Sequence, residues 1–264
     1  MSFLPVQTLS LIGAGNVAAF LGAALKRHGI RIAEVYNRTP AHGRLLARRL
    51  DAAYRDDLAD MDPRTDLILI SVSDSAVEEI AGKLKTSALV AHTSGSVDLA
   101  SLAPASPRTG VFYPLQSFRK GRRVLLKDVP FCIEAANPDD EAILAALART
   151  LSGKPCIMDS RRRRILHLSA VFATNFPNFL YSVAETIVEE QGIPFDLLRP
   201  VISQTAGNAG YKDVFSLQTG PAVREDLKVL GMHRDLLRDH PDYLKLYDLL
   251  SNSIIQEKHR HGKL

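Results

Sequence analysis

A chain of 264 residues, 46% apolar and 23% charged, carries enough apolar surface for a sizeable core, which excludes a disordered or fibrous protein. Its 33 Lys and Arg against 29 Asp and Glu leave a formal charge of +4, too small and scattered an excess for a nucleic-acid-binding protein but suited to an anionic ligand. The only cysteines, Cys132 and Cys156, lie in apolar strand-like stretches and read as buried reduced thiols rather than a bridge, and no cluster with metal-ligand spacing occurs, so no metal is expected.

The apolar stretch from residue 4 to residue 25 lacks an early basic region and carries Gln7, Ser10, Gly13, Gly15 and Asn16, so it reads as strand, turn and helix rather than a membrane segment. With no other targeting signal, the cytoplasm is the expected compartment and no membrane partner is expected. Residues 8–12 form the first predicted strand. Gly13-Ala14-Gly15-Asn16-Val17-Ala18 follows as a G-x-G-x-x-A turn opening the first helix, which Gly29 can close. The glycines permit a tight turn and close backbone approach, Ala18 permits close helix packing, and free N–H groups at the helix start suit a diphosphate. Gly13, Ala14, Gly15, Asn16 and Val17 are therefore candidate dinucleotide-binding residues.

The second predicted strand, 30–36, runs into Asn37-Arg38-Thr39-Pro40. A NAD-binding chain places Asp or Glu at this tip to hold the ribose hydroxyls. Here the tip has no acid, and Glu34 lies within the strand. Arg38 can pair with a 2′-phosphate while Asn37 and Thr39 hydrogen-bond around it, which points to NADP rather than NAD. Thr39 also caps the second helix, with Pro40 at its first position.

A weak strand near 52–54 and stronger ones at 67–71, 89–92 and 110–112 follow, and Ser75 with Glu78 reads as a capping box between the second and third of these. Ligands of open α/β sheets bind beyond the carboxyl ends of the strands. That rule selects Ser71 to Asp74, His92 to Ser96 and Tyr113 to Phe118 as pocket residues. Val72, Ser73, His92, Thr93 and Ser94 are candidate cofactor contacts, and Ser73, Ser94 or Gln116 can orient a reacting carbonyl or imine; an ordinary role as cap or turn residue stays open for each. Strands at 131–134 and 156–158 flank a helix begun by Asn137-Pro138 and stopped near Gly153. The alternation predicts a doubly wound α/β Rossmann domain over residues 1–158.

Past Met158 every apolar pattern has helical spacing, so residues 159–264 are expected to form a smaller all-α domain for substrate binding and dimerisation. Its helices are predicted at 162–191, interrupted by Pro177, and at 195–204, 222–230 and 242–258. The run Arg161 to Arg164 reads as a solvated helix start, with nucleic acid not an expected partner. His167, Asn175 and Asn178 follow helical spacing and share one face. Imidazole titrates near neutrality, so His167 is a candidate proton donor, with Ser94, Asn175 and Asn178 completing the candidate catalytic set; a core histidine and helix-kink asparagines are the alternative. Arg224 and Asp226, after Thr219-Gly220-Pro221, read as members of a buried inter-helix or inter-subunit ion pair, or as a substrate contact. So short a helical region, dominated by one long helix, has little core of its own, which points to a homodimer.

Gly13-Ala14-Gly15-Asn16-Val17, Asn37-Arg38-Thr39, His92-Thr93-Ser94-Gly95, Pro114 to Phe118, His167 to Phe176 and Thr219-Gly220-Pro221 together resemble the superfamily of pyrroline-5-carboxylate reductase, ketopantoate reductase and deazaflavin-dependent NADP reductase. The closer resemblance is to Rossmann-like proteins with a C-terminal domain of unknown function 2520, and it spans nearly the whole chain. It implies NADP binding and a dimer-forming helical domain like the C-terminal domain of 6-phosphogluconate dehydrogenase, whose first helix faces the nicotinamide. Two positions depart from the family's pattern: Tyr113 stands where His is frequent, and Glu225 where Gly is frequent. The expected function is an NADP-dependent oxidoreductase acting on a small carbonyl or imine in a cleft between the domains. The alternative is a non-catalytic NADP-binding regulatory or scaffold protein, and nothing selects a deazaflavin.

Overall fold

The computed structural model describes residues 6–119, 125–127, 129–151 and 153–262, so the first two positions of the apolar stretch that begins at residue 4 lie outside it. Two compact units are present, Met1–Thr174 and Asn175–Leu264.

The first unit is built on strands β1 (Thr8–Ile12), β2 (Arg31–Tyr36), β3 (Ala53–Arg55), β4 (Leu67–Ile70), β5 (Leu89–His92), β6 (Thr109–Pro114), β7 (Pro130–Ala135) and β8 (Lys154–Ile157). Among the described residues they form one sheet in the order β3-β2-β1-β4-β5-β6-β7-β8. The first six are mutually parallel, whereas β7 runs antiparallel to β6 and β8 parallel to β7. An antiparallel neighbour needs no crossover helix, so β7 can return directly along β6. Strand order reverses direction between β1 and β4, which opens a crevice at their carboxyl ends.

Helices α1 (Asn16–Arg27), α2 (Pro40–Leu50), α3 (Val77–Lys83), α4 (Pro138–Thr150) and α5 (Ser160–Ala170) complete this unit. The central strands are apolar on both faces because both are covered. In β4, Leu67 and Leu69 join Leu9, Leu11, Leu21 and Leu25 in one core layer. Ile68 and Ile70 join Ile12, Val77 and Ala81 in the other, as the two-residue period of a strand requires. Each such side chain contributes about 1.5–3 kcal/mol on burial.

The helix ends follow the local chemistry in most places. Gly29, at φ +86°, lets Ile30 N–H reach back to Leu25 O at 3.1 Å and closes α1. Asn137 Oδ1 accepts from Asp140 N–H at 2.9 Å to start α4, and Gly153 N–H returns to Ala148 O at 3.0 Å to end it. The expected capping box at Ser75 and Glu78 does not form. Residues Asp74–Ala76 make a 3-10 turn in which Ala76 N–H meets Ser73 O at 2.9 Å, and Ser75 Oγ lies 3.4 Å from Ser73 Oγ.

The predicted helix 162–191 is divided. After α5 come a π turn, Val171–Asn175, and then α6 (Phe176–Glu189) in the second unit, with Pro177 in its first turn. Proline lacks an N–H and its ring crowds the carbonyl four residues back; a wider turn accommodates both effects. That turn interrupts the four-residue register on which one shared face for His167, Asn175 and Asn178 rested. The second unit continues with α7 (Arg199–Gly207), α8 (Pro221–Arg224), α9 (Leu227–Leu236) and α10 (Pro241–His261). The predicted helix 222–230 is broken at Glu225, whose φ of +57° is the left-handed conformation that favours glycine. A glycine, which the pattern of the resembled family carries here, would take that conformation without strain. No described helix is long and apolar enough to cross a membrane.

Candidate functional site

A cleft of about 710 Å³ opens at the carboxyl ends of the strands of the first unit. Its floor is the turn between β1 and α1. Gly13 sits at φ +111° with its N–H on Tyr36 O at 2.8 Å, and a Cβ there would lie 2.2 Å from Ser71 O. Only glycine fits. A Cβ at Gly15 would meet nothing within 4 Å, so its role is to leave the cleft side of the turn open rather than to relieve a clash within the protein. The first α1 bond runs from Ala19 N–H to Gly15 O, leaving the N–H groups of Asn16, Val17 and Ala18 without partners in the helix. Ala18 is buried as its packing role requires, and the Asn16 side chain donates to Phe118 O at 3.1 Å.

At the tip of β2, Asn37, Arg38 and Thr39 line the same cleft. Asn37 Nδ2 donates to Thr39 O at 2.8 Å, stiffening the turn. Arg38 is exposed and forms no ion pair among the described residues. Nearby Lys83 is taken by Glu79 at 2.5 Å, which holds that carboxyl below its usual range. Glu34 is 3% exposed, bound by Arg55 Nε at 2.6 Å and by Asp62 N–H at 2.8 Å. Its carboxylate is committed to the fold and unavailable to a ribose.

Beyond β4, β5 and β6 the wall is made by Val72, Ser73, Thr93, Ser94, Gly95 and Tyr113, together with His167 of α5. Thr93 Oγ1 donates to Ser71 Oγ at 3.1 Å. Ser94 Oγ accepts from the Ser96 and Val97 N–H groups, both at 3.1 Å, and lies 3.4 Å from Ser96 Oγ, whose own hydrogen goes to Asp74, so it holds the turn. Gln116 is exposed, accepts from Ser117 N–H at 2.8 Å and does not line the cleft.

His92 does not line it either. Fully buried, it accepts from Ser94 N–H at Nδ1 over 3.2 Å, and burial, helped by the charge of Arg163, pushes its pKa down to about 4. The unfolded chain therefore binds a proton that the folded one refuses, so stability is present above the ordinary histidine range and lost as pH falls through it toward 4. The loss between about pH 7 and pH 4 amounts to about 3 kcal/mol from this group. Urea unfolding at the two pH values should show His92→Gln to be less acid-sensitive than the wild type by that amount, and equal acid sensitivity would refute the assignment.

The start of α5 corrects the reading of Arg161 to Arg164 as solvated. Asp159 caps the helix through Arg162 N–H at 2.7 Å and Arg164 pairs with Asp98 at 3.0 Å, but Arg163 is 0% exposed. Its guanidinium meets the Glu134 carboxylate of β7 and Val97 O. Ser160 Oγ donates to Glu134 at 2.7 Å and accepts from Leu99 N–H at 3.1 Å and from Arg163 at 3.0 Å. This network fastens α5 to the sheet and explains why α5, expected in the helical domain, belongs to the first unit. His167 stands one turn after Arg163 on the same face. The spacing of four was the available signal, hidden because a basic run reads as solvated.

Tyr113 Oη lies 3.0 Å from His167 Nδ1, with the rings edge to face at 5.8 Å and 78°. Both pack on Gly95, where a Cβ would lie 2.7 Å from His167 Nδ1 and 2.8 Å from Tyr113 Cζ. Burial pushes the Tyr113 phenol up to about 12. Asn175 and Asn178 fall in the second unit. There Asp226 caps α9 through Val229 N–H at 3.1 Å, and Arg224 is exposed and forms no ion pair among the described residues, so the buried inter-helix pairing is not made within this chain. Glu225 instead holds Lys258 at 2.8 Å and His259 at 2.9 Å.

Residues 5–116 match the model of the Rossmann-like domain and residues 129–254 that of the domain of unknown function 2520. A comparison with curated proteins finds no match. Among solved structures, a candidate NADP oxidoreductase from Bacteroides fragilis is 40% identical over 96% of this chain and 100% of its own, with a TM-score of 0.88. Protein TM1727 from Thermotoga maritima is 22% identical over 97% and 100%, with a TM-score of 0.70. An imine reductase from Myxococcus stipitatus in complex with NADP+ is 19% identical over 97% and 95%, with a TM-score of 0.68. At these two lower identities the likeness is one of fold. The two domain matches and the identity to the Bacteroides protein place the chain in the family of Rossmann-like proteins that carry a C-terminal domain of unknown function 2520.

Proposed function

We propose that this protein binds NADP(H) and transfers hydride between it and a small carbonyl or imine compound. The observation that carries the reading is the pairing of an open glycine turn with a β2 tip where Arg38 has no carboxylate partner among the described residues and Glu34 is locked away. The N–H groups at the start of α1 would hold the diphosphate, and Arg38, Asn37 and Thr39 would hold the 2′-phosphate. NADPH held there would supply hydride, an electron pair with its proton, to the substrate carbon, and His167 would pass a proton from solvent to the substrate oxygen or nitrogen that gains the π pair. Similarity to the Bacteroides protein and to an imine reductase that holds NADP+ supports the reading. The two cysteines are free thiols, Cys132 buried and Cys156 only partly so, contrary to the expected burial of both, and they suit a reducing cytoplasm.

Calorimetry should give an affinity for NADPH at least about tenfold above that for NADH. NADPH absorbance should fall with one member of a panel of cyclic imines, aldehydes and keto acids. Equal affinity for the two cofactors, or none for either, would overturn the NADP reading. NADPH binding with no turnover across the panel would identify a regulatory or scaffold protein instead.

The same reading includes a homodimer. The second unit buries only Val183, Ala222, Leu230, Leu237 and Ser251 among its described residues, while Phe179, Leu197, Val201, Leu227, Leu236 and Leu249 are each more than half exposed. So much open apolar surface on a small helical unit is suited to cover by a second copy. Light scattering at micromolar concentration is expected to return twice the chain mass, and a monomer mass would remove the proposal.

A further inference from the structure

We propose that Tyr113 is a positioning residue that sets the tautomer of His167, so that the resting imidazole presents an N–H donor, at Nε2, to the cleft. This rests on the hydride-transfer reading for its consequence but not for its geometry.

A 3.0 Å contact between a phenol and an imidazole nitrogen allows two polarities. In one, Nδ1–H donates to the phenolic oxygen; in the other, the phenol donates to an unprotonated Nδ1. The Tyr113 phenol makes no other hydrogen bond among the described residues, so the first arrangement leaves its half-buried O–H without a protein acceptor, while the second pairs that O–H and leaves the imidazole N–H to face the open cleft, where solvent or a ligand can accept it. With its acidity suppressed by burial, the phenol keeps its proton at neutral pH. A neutral imidazole that accepts at Nδ1 carries its hydrogen at Nε2. That nitrogen has no hydrogen-bond partner among the described residues, and the ring lines the cleft.

Rotation of the ring is opposed on two sides. Gly95 brings backbone against it so closely that even a methyl group would be 2.7 Å from Nδ1, and exchanging the two nitrogens by a ring flip would break the bond to Tyr113. The functional consequence is a match to one side of the reaction. A carbonyl oxygen or imine nitrogen is an acceptor, and a donor aimed at it stabilises the charge that builds there as hydride adds to carbon. An alcohol would be met better by the opposite tautomer. The resting site is thus set for reduction.

The test is long-range proton–nitrogen correlation spectroscopy on protein labelled at its histidines, recorded above the imidazole titration range, with the His167 signals identified by their loss in His167→Gln. The expected result is an unprotonated Nδ1 and a protonated Nε2 in the wild type, with the Nδ1 signal moving toward the average of the two tautomers in Tyr113→Phe. A protonated Nδ1 in the wild type, or a Tyr113→Phe spectrum unchanged at His167, overturns the proposal. The wild-type spectrum decides the tautomer even where the variant folds poorly. None of these readings needs a cofactor, so absence of NADPH binding would defeat the functional reading while leaving this one decided on its own signals.

Discussion

Replacing Arg163 with Ala is expected to lower the folding free energy by about 3–5 kcal/mol, because removing one partner of a buried ion pair strands the other. Arg163 is wholly enclosed, whereas Glu134 is 17% exposed, and Val97 O and Ser160 Oγ lose the same donor. Water reaching Glu134 places the effect toward the lower end of that range, and the melting temperature should fall by about 10 °C. The double change Arg163→Met with Glu134→Leu should recover most of the loss, since an apolar pair has no charge left to strand. Urea unfolding of both variants checks this, and a loss below about 1 kcal/mol for Arg163→Ala would show that the pair is not as enclosed as its exposure implies. The substitution should also raise the pKa of His92, because the Arg163 charge is among the causes that depress it. Acid sensitivity then shrinks in the same variant, which ties the two buried groups together.

Arg38→Ala should weaken NADPH by about 30- to 100-fold, the equivalent of the 2–3 kcal/mol of charge-assisted hydrogen bonding lost, while NADH affinity stays within about twofold. The two cofactors differ only at the 2′-phosphate, so the ratio isolates that corner from the rest of the cleft. Arg38→Lys should fall between, since an ammonium keeps the charge but not the planar fork. Lys83 is not expected to compensate while Glu79 holds it. Parallel calorimetric titrations read the ratio directly, and an equal loss for both cofactors would mean that Arg38 supports the turn rather than the phosphate.

Several parts of the site were legible from local pattern. The glycine turn, the bare tip of β2 and the polar strand ends all lie where the sequence places them. Each is set by neighbours within a few residues: a strand, a turn needing positive φ at Gly13, a helix start. Other parts were not legible. Arg163 resembles its three basic neighbours until Glu134, 29 positions earlier, meets it. His92 shares its segment with true cleft residues, yet the pleat of β5 turns it inward. The antiparallel β7 carries the same apolar pattern as a parallel strand, because direction is decided by the connection and not by the residues within it.

Local sequence pattern alone determined that this protein is a doubly wound α/β unit followed by helices, with a glycine turn between its first strand and first helix, because those features are written in residues close together along the chain. The tertiary structure alone decided which charges are available to a ligand. Glu34 and Arg163 are consumed by the fold, Arg38 is left open, and Tyr113 meets a histidine 54 positions away. The reason is that a side chain's charge and proton position depend on what surrounds it in space, and the fold gathers those surroundings from distant segments.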